Sequence, residues 1–258
     1  MNRERQDLIE QTLGRTPREL VEIDDGYDFE VAIVDRDWVF RFPRRANVAE
    51  ALEVEIAALP ILAAALPIAV PHFEHVSREP PFVAYRAIHG EPLVDEDPEG
   101  VRAFLSALHG LDAAELPLER PAWVGVYVAR CERFAHGVLP LLDADERPRA
   151  RAFFAEASTL TGFDAVPIHG DVLPEHLRCH GRRLAGVIDW GDACVGDPAL
   201  DYAWLLNVPF PHWDVDDDLR RRARFHYRLE PWVWAHYGLV TEQPALVRAG
   251  LAEIRTRL

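Results

Sequence analysis

HGDVLPEH (residues 169–176) and VIDW (residues 187–190) are the two stretches of sequence that decide the fold and the chemistry. Asp171 stands between a glycine and a later Pro-Glu turn, so we expect it on an accessible loop. His176 follows five residues later, and Asp189 comes directly after an apolar strand. A loop that returns over five residues can bring Asp171 and His176 to one centre. Together the stretches supply a carboxylate that can accept a hydroxyl proton and two ligands for a divalent metal ion.

Each of these three residues also has an ordinary explanation. An aspartate on a loop commonly caps a turn or is a solvated charge, and a histidine in a core is commonly satisfied by backbone groups. It is the combination of the three, at these spacings, that points to a specific constellation. The His169, His176, Cys179 and His180 group matches no common zinc-finger spacing, so we do not expect zinc.

The composition bounds the class of protein and its partners. A chain of 258 residues with 49% hydrophobic and 28% charged residues suits one domain, or two lobes around a cleft. Its net charge of −15 repels nucleic acid and anionic lipid and attracts small cations. We therefore expect neither nucleic acid nor membrane as a partner, and we favour a monomer. The sequence contains no lysine, and all 28 of its Lys-or-Arg positions are arginine.

The cysteines and the N-terminus indicate a compartment. Three cysteines are an odd number at spacings that suggest no disulfide framework, which favours a reducing environment. The N-terminal residues are charged and lack the apolar core of a signal peptide. The longest apolar run, 59–70, contains two prolines and is too short to span a bilayer. The expected localisation is cytoplasmic.

Hydrophobic periodicity divides the chain into a sheet-rich front and a helical remainder. The front has predicted strands at 31–34, 38–42, 73–77 and 82–88 and a helix at 48–65, which Pro60 should kink or break. Predicted helices follow at 98–110, 123–140, 146–160, 198–206, 218–237 and 243–257. Between them lies an insert of short strands at 166–168, 176–179 and 184–188. The chemistry-bearing loops belong to that insert.

HGDVLPEH (169–176), GVIDWGD (186–192) and GDPALDY (196–202) together resemble the catalytic region of the aminoglycoside phosphotransferase family, which shares the protein-kinase fold. WVFRFPRR (38–45) and LPIAVP (66–71) are similar to its N-terminal lobe, in the expected order. Macrolide phosphotransferases are close relatives. The resemblance covers about residues 20–205. It implies an α+β, bilobal, protein-kinase-like fold with a small antiparallel-sheet N-lobe (1–88), a hinge near 84–90 and a larger, mainly helical C-lobe (89–258).

The resemblance also implies a role for individual residues. Asp171 would be the catalytic base, and His176 and Asp189 would hold Mg²⁺. Arg41 would reach the nucleotide phosphates and pair with Glu55. The backbone of Tyr85, Arg86 and Ala87 would form the hinge that reads adenine. Gly26 is a candidate for turning a loop so that its backbone N–H groups face the phosphates, and an ordinary turn is an equally good interpretation of this single glycine.

This sequence departs from the family pattern at two of these positions. Arginine replaces the common lysine at 41, which keeps the charge and adds a forked donor. Histidine replaces the commoner asparagine at 176. We interpret Asp197 and Asp201 as structural, with Asp197 capping a helix that begins at Pro198. Four acidic residues are candidates for binding an acceptor: Glu175, Asp192, Asp214 and Asp217.

The expected activity is Mg²⁺-dependent transfer of the γ-phosphate of ATP or GTP to a hydroxyl of a small cationic molecule. An aminoglycoside is the first acceptor to consider, and a macrolide or a metabolic small molecule are alternatives. Two other classes stay open at this stage. One is a kinase-like nucleotide-binding module without turnover, which the arginine at 41 suggests, and the other is a metal-dependent hydrolase.

Overall fold

The structure, a computed structural model, describes residues 3–23, 26, 28–93, 98–207 and 213–258. The chain forms two compact units, the first of Met1–Leu118 with Leu173–Ala193 and the second of Glu119–Val172 with Cys194–Leu258. The predicted lobes, 1–88 and 89–258, instead divide the chain where predicted strands are followed by predicted helices. That lobe boundary stays a prediction. In the described part of the chain, no helix has both the length and the apolar character needed to cross a membrane.

The first unit is built on a five-stranded antiparallel sheet with strand order β1-β2-β3-β5-β4. Its elements are α1 (Arg3–Leu13), β1 (Leu20–Ile23), β2 (Phe29–Val34), β3 (Trp38–Pro43), α2 (Ala46–Ala65), β4 (Phe73–Arg78), β5 (Pro81–Arg86), β6 (Glu91–Pro92), α3 (Pro98–His109), β8 (Leu177–His180) and β9 (Arg183–Val187). Strands β6, β8 and β9 form a second, three-stranded antiparallel sheet.

The two faces of the five-stranded sheet carry different side chains, because successive side chains of a strand point to opposite faces. On one face, buried residues including Phe40 and Phe42 pack against Ile9 of α1. Arg41 lies between those two phenylalanines in the sequence and therefore projects from the opposite face. There it meets Glu55 of α2. The alternation of β3 thus places one charge on the α2 side of an otherwise apolar strand.

The second unit has an aromatic core between four helices, namely α4 (Trp123–Gly137), α5 (Arg147–Ala155), α6 (Asp217–Val240) and α7 (Pro244–Arg257). Tyr127, Phe153, Phe225 and Trp232 are all buried there. Strands β7 (Val166–Ile168) and β10 (Cys194–Gly196) pair antiparallel beside this core. The loop that carries Asp171 begins directly after β7.

Most predicted elements are present within a few residues of their predicted bounds, with three differences. Helix α2 runs unbroken through Pro60, which is exposed, because Leu52, Leu59 and Leu62 are buried along the helix and offset the lost hydrogen bond. The predicted helix at 198–206 is wrong. It is a 3-10 helix, Pro198–Leu200, followed by turns, because most backbone bonds here span three residues rather than four, as from the Asp201 N–H to the Pro198 carbonyl (3.1 Å). Helix α1 and strands β1, β6 and β10 are not among the predicted elements.

The strand that precedes Asp189 is held by a close approach of two backbone segments. The N–H of Ala69 donates to the carbonyl of Ala185 (3.0 Å), and the N–H of Val187 donates to the carbonyl of Ala69 (2.9 Å). Gly186 lies between these bonds. A Cβ atom at Gly186 would stand 2.5 Å from Ile88 Cγ2 and 2.9 Å from the Ala69 carbonyl oxygen. Only glycine fits there without displacing β9.

We therefore expect Gly186→Ala to lower the free energy of unfolding by about 1–3 kcal/mol, the usual range for overpacking. Chemical denaturation followed by circular dichroism measures it. Gly125→Ala is a matched control, since Gly125 is an exposed α4 residue whose added Cβ meets no atom within 4 Å. Alanine is the better helix former by about 1 kcal/mol, so that variant should be neutral or stabilised. Equal effects of the two substitutions would contradict the close-approach argument.

Candidate active site

The centre of the candidate site in the first unit is the guanidinium of Arg41, a buried residue that is 4% exposed. Its Nη1 donates to Glu55 Oε1 at 2.6 Å, and its Nη2 donates to Asp189 Oδ1 at 3.4 Å. The predicted pairing of Arg41 with Glu55 is thus present. The side chains come from β3, α2 and the loop after β9, so one guanidinium joins two consecutive elements to a loop that lies 148 residues further along the chain.

The charges of neighbouring side chains shift the pKa of Arg41 and the pKa of Glu55. Burial alone would lower the pKa of Arg41, but the neighbouring Glu55 and Asp189 carboxylates reverse this, so the pKa lies above its ordinary value. Burial raises the pKa of Glu55, and the Arg41 charge opposes that rise. The guanidinium itself stays protonated at any working pH. Among the described residues, no hydrogen bond reaches Glu55 Oε2.

His176 and Asp189 lie side by side, with 3.6 Å between His176 Nε2 and Asp189 Oδ2. The Ile188 N–H donates to the His176 carbonyl at 3.0 Å, which fixes the two loops to each other. Asp189 has a φ of 63°, a left-handed conformation that aspartate tolerates better than most residues, and about half of its side chain is exposed.

This pair is compatible with magnesium when other ligands complete the shell. Mg²⁺ is commonly held by one or two carboxylates together with waters and substrate phosphates. Asp189 is such a carboxylate, while an imidazole is the less usual ligand for this ion. Within the described residues no cluster of three or more His, Cys, Asp or Glu side chains could hold a metal by itself. The two residues can therefore supply part of a metal site, with phosphate oxygens as the natural remainder.

In the second unit, the buried carboxylate of Asp201 holds the backbone of the loop that carries Asp171. Asp201, fully buried, accepts the N–H of Gly170 at 2.8 Å and that of His169 at 3.1 Å. The Asp171 N–H donates to His169 Nδ1 at 3.2 Å, and Gly170 has a φ of 86°. These bonds set the backbone from which the Asp171 side chain, partly exposed, projects. Asp171 and the pair His176–Asp189 belong to different units, and their meeting at one centre stays a prediction.

Asp197 is structural in the way the sequence predicts. Its Oδ1 accepts the Ala199 N–H at 2.9 Å and so caps the 3-10 helix that begins at Pro198. Its Oδ2 accepts from Arg222 Nε at 2.9 Å, and His226 Nε2 is 3.6 Å away. The cap and the buried ion pair together anchor the short helix that leads to Asp201.

The predicted hinge is tied to the turn between β2 and β3. Tyr85 is buried, and burial raises the pKa of its hydroxyl far above the usual range, so the phenol stays protonated. The Arg86 guanidinium lies 4.1 Å from the centre of the Trp38 ring and forms an ion pair with Asp37. The Ala87 N–H donates to the Asp37 carbonyl at 2.7 Å. This N–H is therefore already bonded, and a hinge contact to a nucleobase would use another backbone group.

The loop before β2 is held by arginines that follow β3. The Gly26 carbonyl accepts from Arg44 Nε at 3.0 Å, and Asp28 forms an ion pair with Arg45. Burial raises the pKa of Asp28, and Arg45 opposes this. The neighbours 24, 25 and 27 lie outside the described residues, so the predicted phosphate-loop role of Gly26 stays a prediction.

The four predicted acceptor-binding residues are all exposed. Glu175 and Asp192 are in the first unit, on either side of the His176–Asp189 pair in the sequence. Asp214 and Asp217 are in the second unit, and Asp217 belongs to the first turn of α6, which Asp216 caps. Their acidity suits a cationic ligand, and their role in binding an acceptor is a prediction.

Sequence reasoning missed Phe29 at this site. The Arg41 guanidinium carbon lies 4.0 Å from the centre of the Phe29 ring. The signal was available in the hairpin, because Phe29 is two residues before Val31, which pairs with Arg41 in register. Residues two apart on a strand share a face.

Comparison with known proteins decides the family. The model of the APH family, described as the phosphotransferase enzyme family, matches residues 19–237, which is most of the chain. The chain belongs to this family. The predicted family and enzyme class, a phosphotransferase, are thereby confirmed. A curated relative is viomycin phosphotransferase of Streptomyces vinaceus, 31% identical over 141 residues that cover 48% of this chain and 49% of that enzyme.

Solved structures of this phosphotransferase family share the fold over nearly the whole chain. The complex of APH(2")-IIia with GDP and kanamycin has a TM-score of 0.88 at 23% identity and covers 99% of this chain and 98% of that one. The apoenzyme of the macrolide 2'-phosphotransferase MphH from Brachybacterium faecium has a TM-score of 0.71 at 23% identity, covering 97% and 98%. The predicted α+β, protein-kinase-like fold is confirmed.

The hydrogen bonds that Asp201 accepts lead to a prediction about catalysis by this phosphotransferase. In Asp201→Asn one end of the side chain becomes a donor, so one of the two buried N–H groups loses its acceptor. An unsatisfied buried donor costs about 1–3 kcal/mol. We expect kcat to fall about tenfold or more, with a smaller change in the nucleotide KM, in steady-state transfer assays.

Asp112→Asn is the matched control, since Asp112 is an exposed aspartate that caps a short helix through the Ala114 N–H at 2.8 Å. Asparagine caps about as well as aspartate, so this variant should keep the wild-type kcat. A wild-type kcat for Asp201→Asn would show that the carboxylate does not position the Asp171 loop.

Proposed function

We propose that this phosphotransferase transfers the γ-phosphate of ATP or GTP, with Mg²⁺, to a hydroxyl of a small cationic molecule, and that this acceptor is an aminoglycoside. The observation that carries the proposal is the Arg41 guanidinium, bonded at once to Glu55 on the long helix and to Asp189. An arginine fixed in this way beside a metal-binding carboxylate is suited to a polyphosphate. The GDP in the APH(2")-IIia complex supports a nucleotide donor.

Each residue has a distinct task in this reaction. Arg41 binds nucleotide phosphate oxygens, and Glu55 keeps its guanidinium in place. Asp189 and His176 would hold Mg²⁺, which when bound neutralises charge on the phosphates. Asp171 orients the acceptor hydroxyl and accepts its proton, an effect worth about 10²–10⁴-fold in rate. Backbone groups near Tyr85, Arg86 and Ala87 would contact the base, and Gly26 would turn the loop over the phosphates.

The acceptor is inferred from charge and from the relatives. The net charge of −15 and the exposed acidic residues Glu175, Asp192, Asp214 and Asp217 suit a ligand with several amino groups. The kanamycin in the APH(2")-IIia complex supports an aminoglycoside. A macrolide is the second candidate, supported by the likeness to MphH, and viomycin is a third, supported by its phosphotransferase. A metabolic small molecule remains the fourth.

We further infer that the enzyme works in the cytoplasm as a monomer. The three cysteines are buried and form no disulfide with one another, as expected for a protein kept reduced. The charge argues against binding to nucleic acid.

A transfer screen tests the proposal. Purified protein is incubated with Mg-ATP or Mg-GTP and with kanamycin, a macrolide, viomycin or simple amino alcohols, and phosphorylated product is measured by mass spectrometry. We expect a product with kanamycin. Nucleotide binding without transfer to any acceptor would instead favour a binding module without turnover, and release of phosphate without an acceptor would favour a hydrolase.

Asp171→Asn separates proton acceptance from nucleotide binding. The amide keeps the size of the side chain but cannot accept a proton. We expect kcat to fall by about 10²-fold or more while the Kd for Mg-nucleotide, measured by calorimetry, changes less than about twofold. Loss of nucleotide binding together with turnover would place Asp171 in nucleotide binding instead.

Asp189→Asn tests the metal site without disturbing the backbone, because asparagine also tolerates a positive φ. The variant loses the charge that a divalent cation requires. We expect the Mg²⁺ concentration for half-maximal activity to rise at least about tenfold. Titration of activity with Mg²⁺ at fixed nucleotide measures this. An unchanged Mg²⁺ requirement would remove Asp189 from the metal site.

A further inference from the structure

We propose that Phe29 is a positioning residue that orients the Arg41 guanidinium for the nucleotide phosphates. The proposal rests on the proposed function, since it concerns the phosphate contact of that same site. Its basis is the 4.0 Å distance between the Arg41 guanidinium carbon and the centre of the Phe29 ring. A cation at this distance from an aromatic face is attracted by the negative electrostatic potential of the ring face.

The hairpin register brings the two side chains together. In the β2–β3 pair, Val31 is opposite Arg41 and Phe29 is opposite Pro43. Phe29 and Arg41 are therefore diagonal neighbours on one face of the sheet, close enough for an aromatic and a long side chain to touch. The contact is fixed by strand pairing rather than by a loop.

Phe29 adds a restraint that the carboxylates cannot provide. Glu55 and Asp189 accept hydrogen bonds from the two terminal nitrogens, and such bonds act near the plane of the guanidinium. The Phe29 ring covers the guanidinium on one side. A ring on one side and two carboxylates on the edges leave the group little freedom to turn. An arginine has five N–H donors, so donors remain for a phosphate after these two contacts.

This restraint explains how arginine can serve where the family pattern has lysine. An ammonium is a compact charge whose direction matters little, whereas a guanidinium is a planar fork that grips a phosphate only when its plane is correct. A long, unrestrained arginine would also lose more side-chain entropy on binding. The aromatic ring at position 29 thus complements the arginine at position 41.

The test compares Phe29→Leu, which removes the ring and keeps an apolar side chain, with Phe29→Tyr, which retains the ring face. For each variant, calorimetry gives the Kd for Mg-ATP, Mg-GTP and the corresponding nucleosides. We expect Phe29→Leu to raise the Kd for the triphosphates about 3- to 30-fold, the range for a partly buried cation–π contact. Nucleoside binding should change less than about twofold, and Phe29→Tyr should restore wild-type values.

Tyr227→Leu is the matched control. The Arg257 guanidinium carbon also lies 4.0 Å from the centre of an aromatic ring, that of Tyr227 in α6. Both substitutions remove one arginine–aromatic contact, so both should lower the melting temperature by a similar, small amount. Only the change at Phe29 should weaken triphosphate binding.

Two results would overturn the proposal for Phe29. One is a wild-type Kd for triphosphates in Phe29→Leu, and the other is an equal loss for nucleosides and triphosphates, which would indicate general distortion of the site. Either result leaves the proposed function intact when the wild-type protein still transfers phosphate. A wild-type protein that binds nucleotide but transfers nothing would defeat the proposed function and leave the Phe29 test decisive. Failure of the wild type to bind nucleotide would overturn both.

Discussion

The burial of one positive charge organises the first unit. Arg41 is almost fully enclosed, and a buried charge that loses its partner destabilises a protein by about 3–5 kcal/mol. Its contacts with Glu55, Asp189 and Phe29 therefore oblige α2, the loop after β9 and strand β2 to converge on β3. The same contacts that stabilise the charge also set its direction. Under the proposed function, stability and phosphate recognition depend on one guanidinium.

The second unit solves a related problem with buried negative charge. Asp201 is fully enclosed, and the backbone N–H groups of His169 and Gly170 bond its carboxylate. Asp197, also enclosed, is bonded by Arg222. Asp201 holds the backbone of the Asp171 loop, and Asp197 holds the short helix that leads to Asp201. Both contacts agree with the interpretation of these two acidic residues as structural.

Local sequence patterns predicted most of the elements, but they do not show the packing and the backbone hydrogen bonds that the folded chain adopts. Strands β2 and β3 follow from alternating side chains around an Asp-Arg turn, in which Asp35 and Arg36 have φ of 52° and 60°. The segment 198–206 has helical spacing, yet most of its backbone hydrogen bonds span three residues, and only the short 3-10 helix Pro198–Leu200 is regular. Pro60 was expected to interrupt α2, but burial of its apolar neighbours keeps the helix continuous. Helix α1 was missed, since it has only one buried residue, Ile9.

The sequence by itself determined the family and most of the secondary-structure elements, because residue type and spacing can be read directly along the chain. It also predicts the residues that carry the chemistry. It also determined that Arg41 and Glu55 should pair. Only the tertiary structure decided that Phe29 covers Arg41, that the Ala87 N–H is already bonded to Asp37, and that Asp201 supports the Asp171 loop. These contacts depend on side-chain packing and on hydrogen bonds between separate segments, and both form only when the chain has folded.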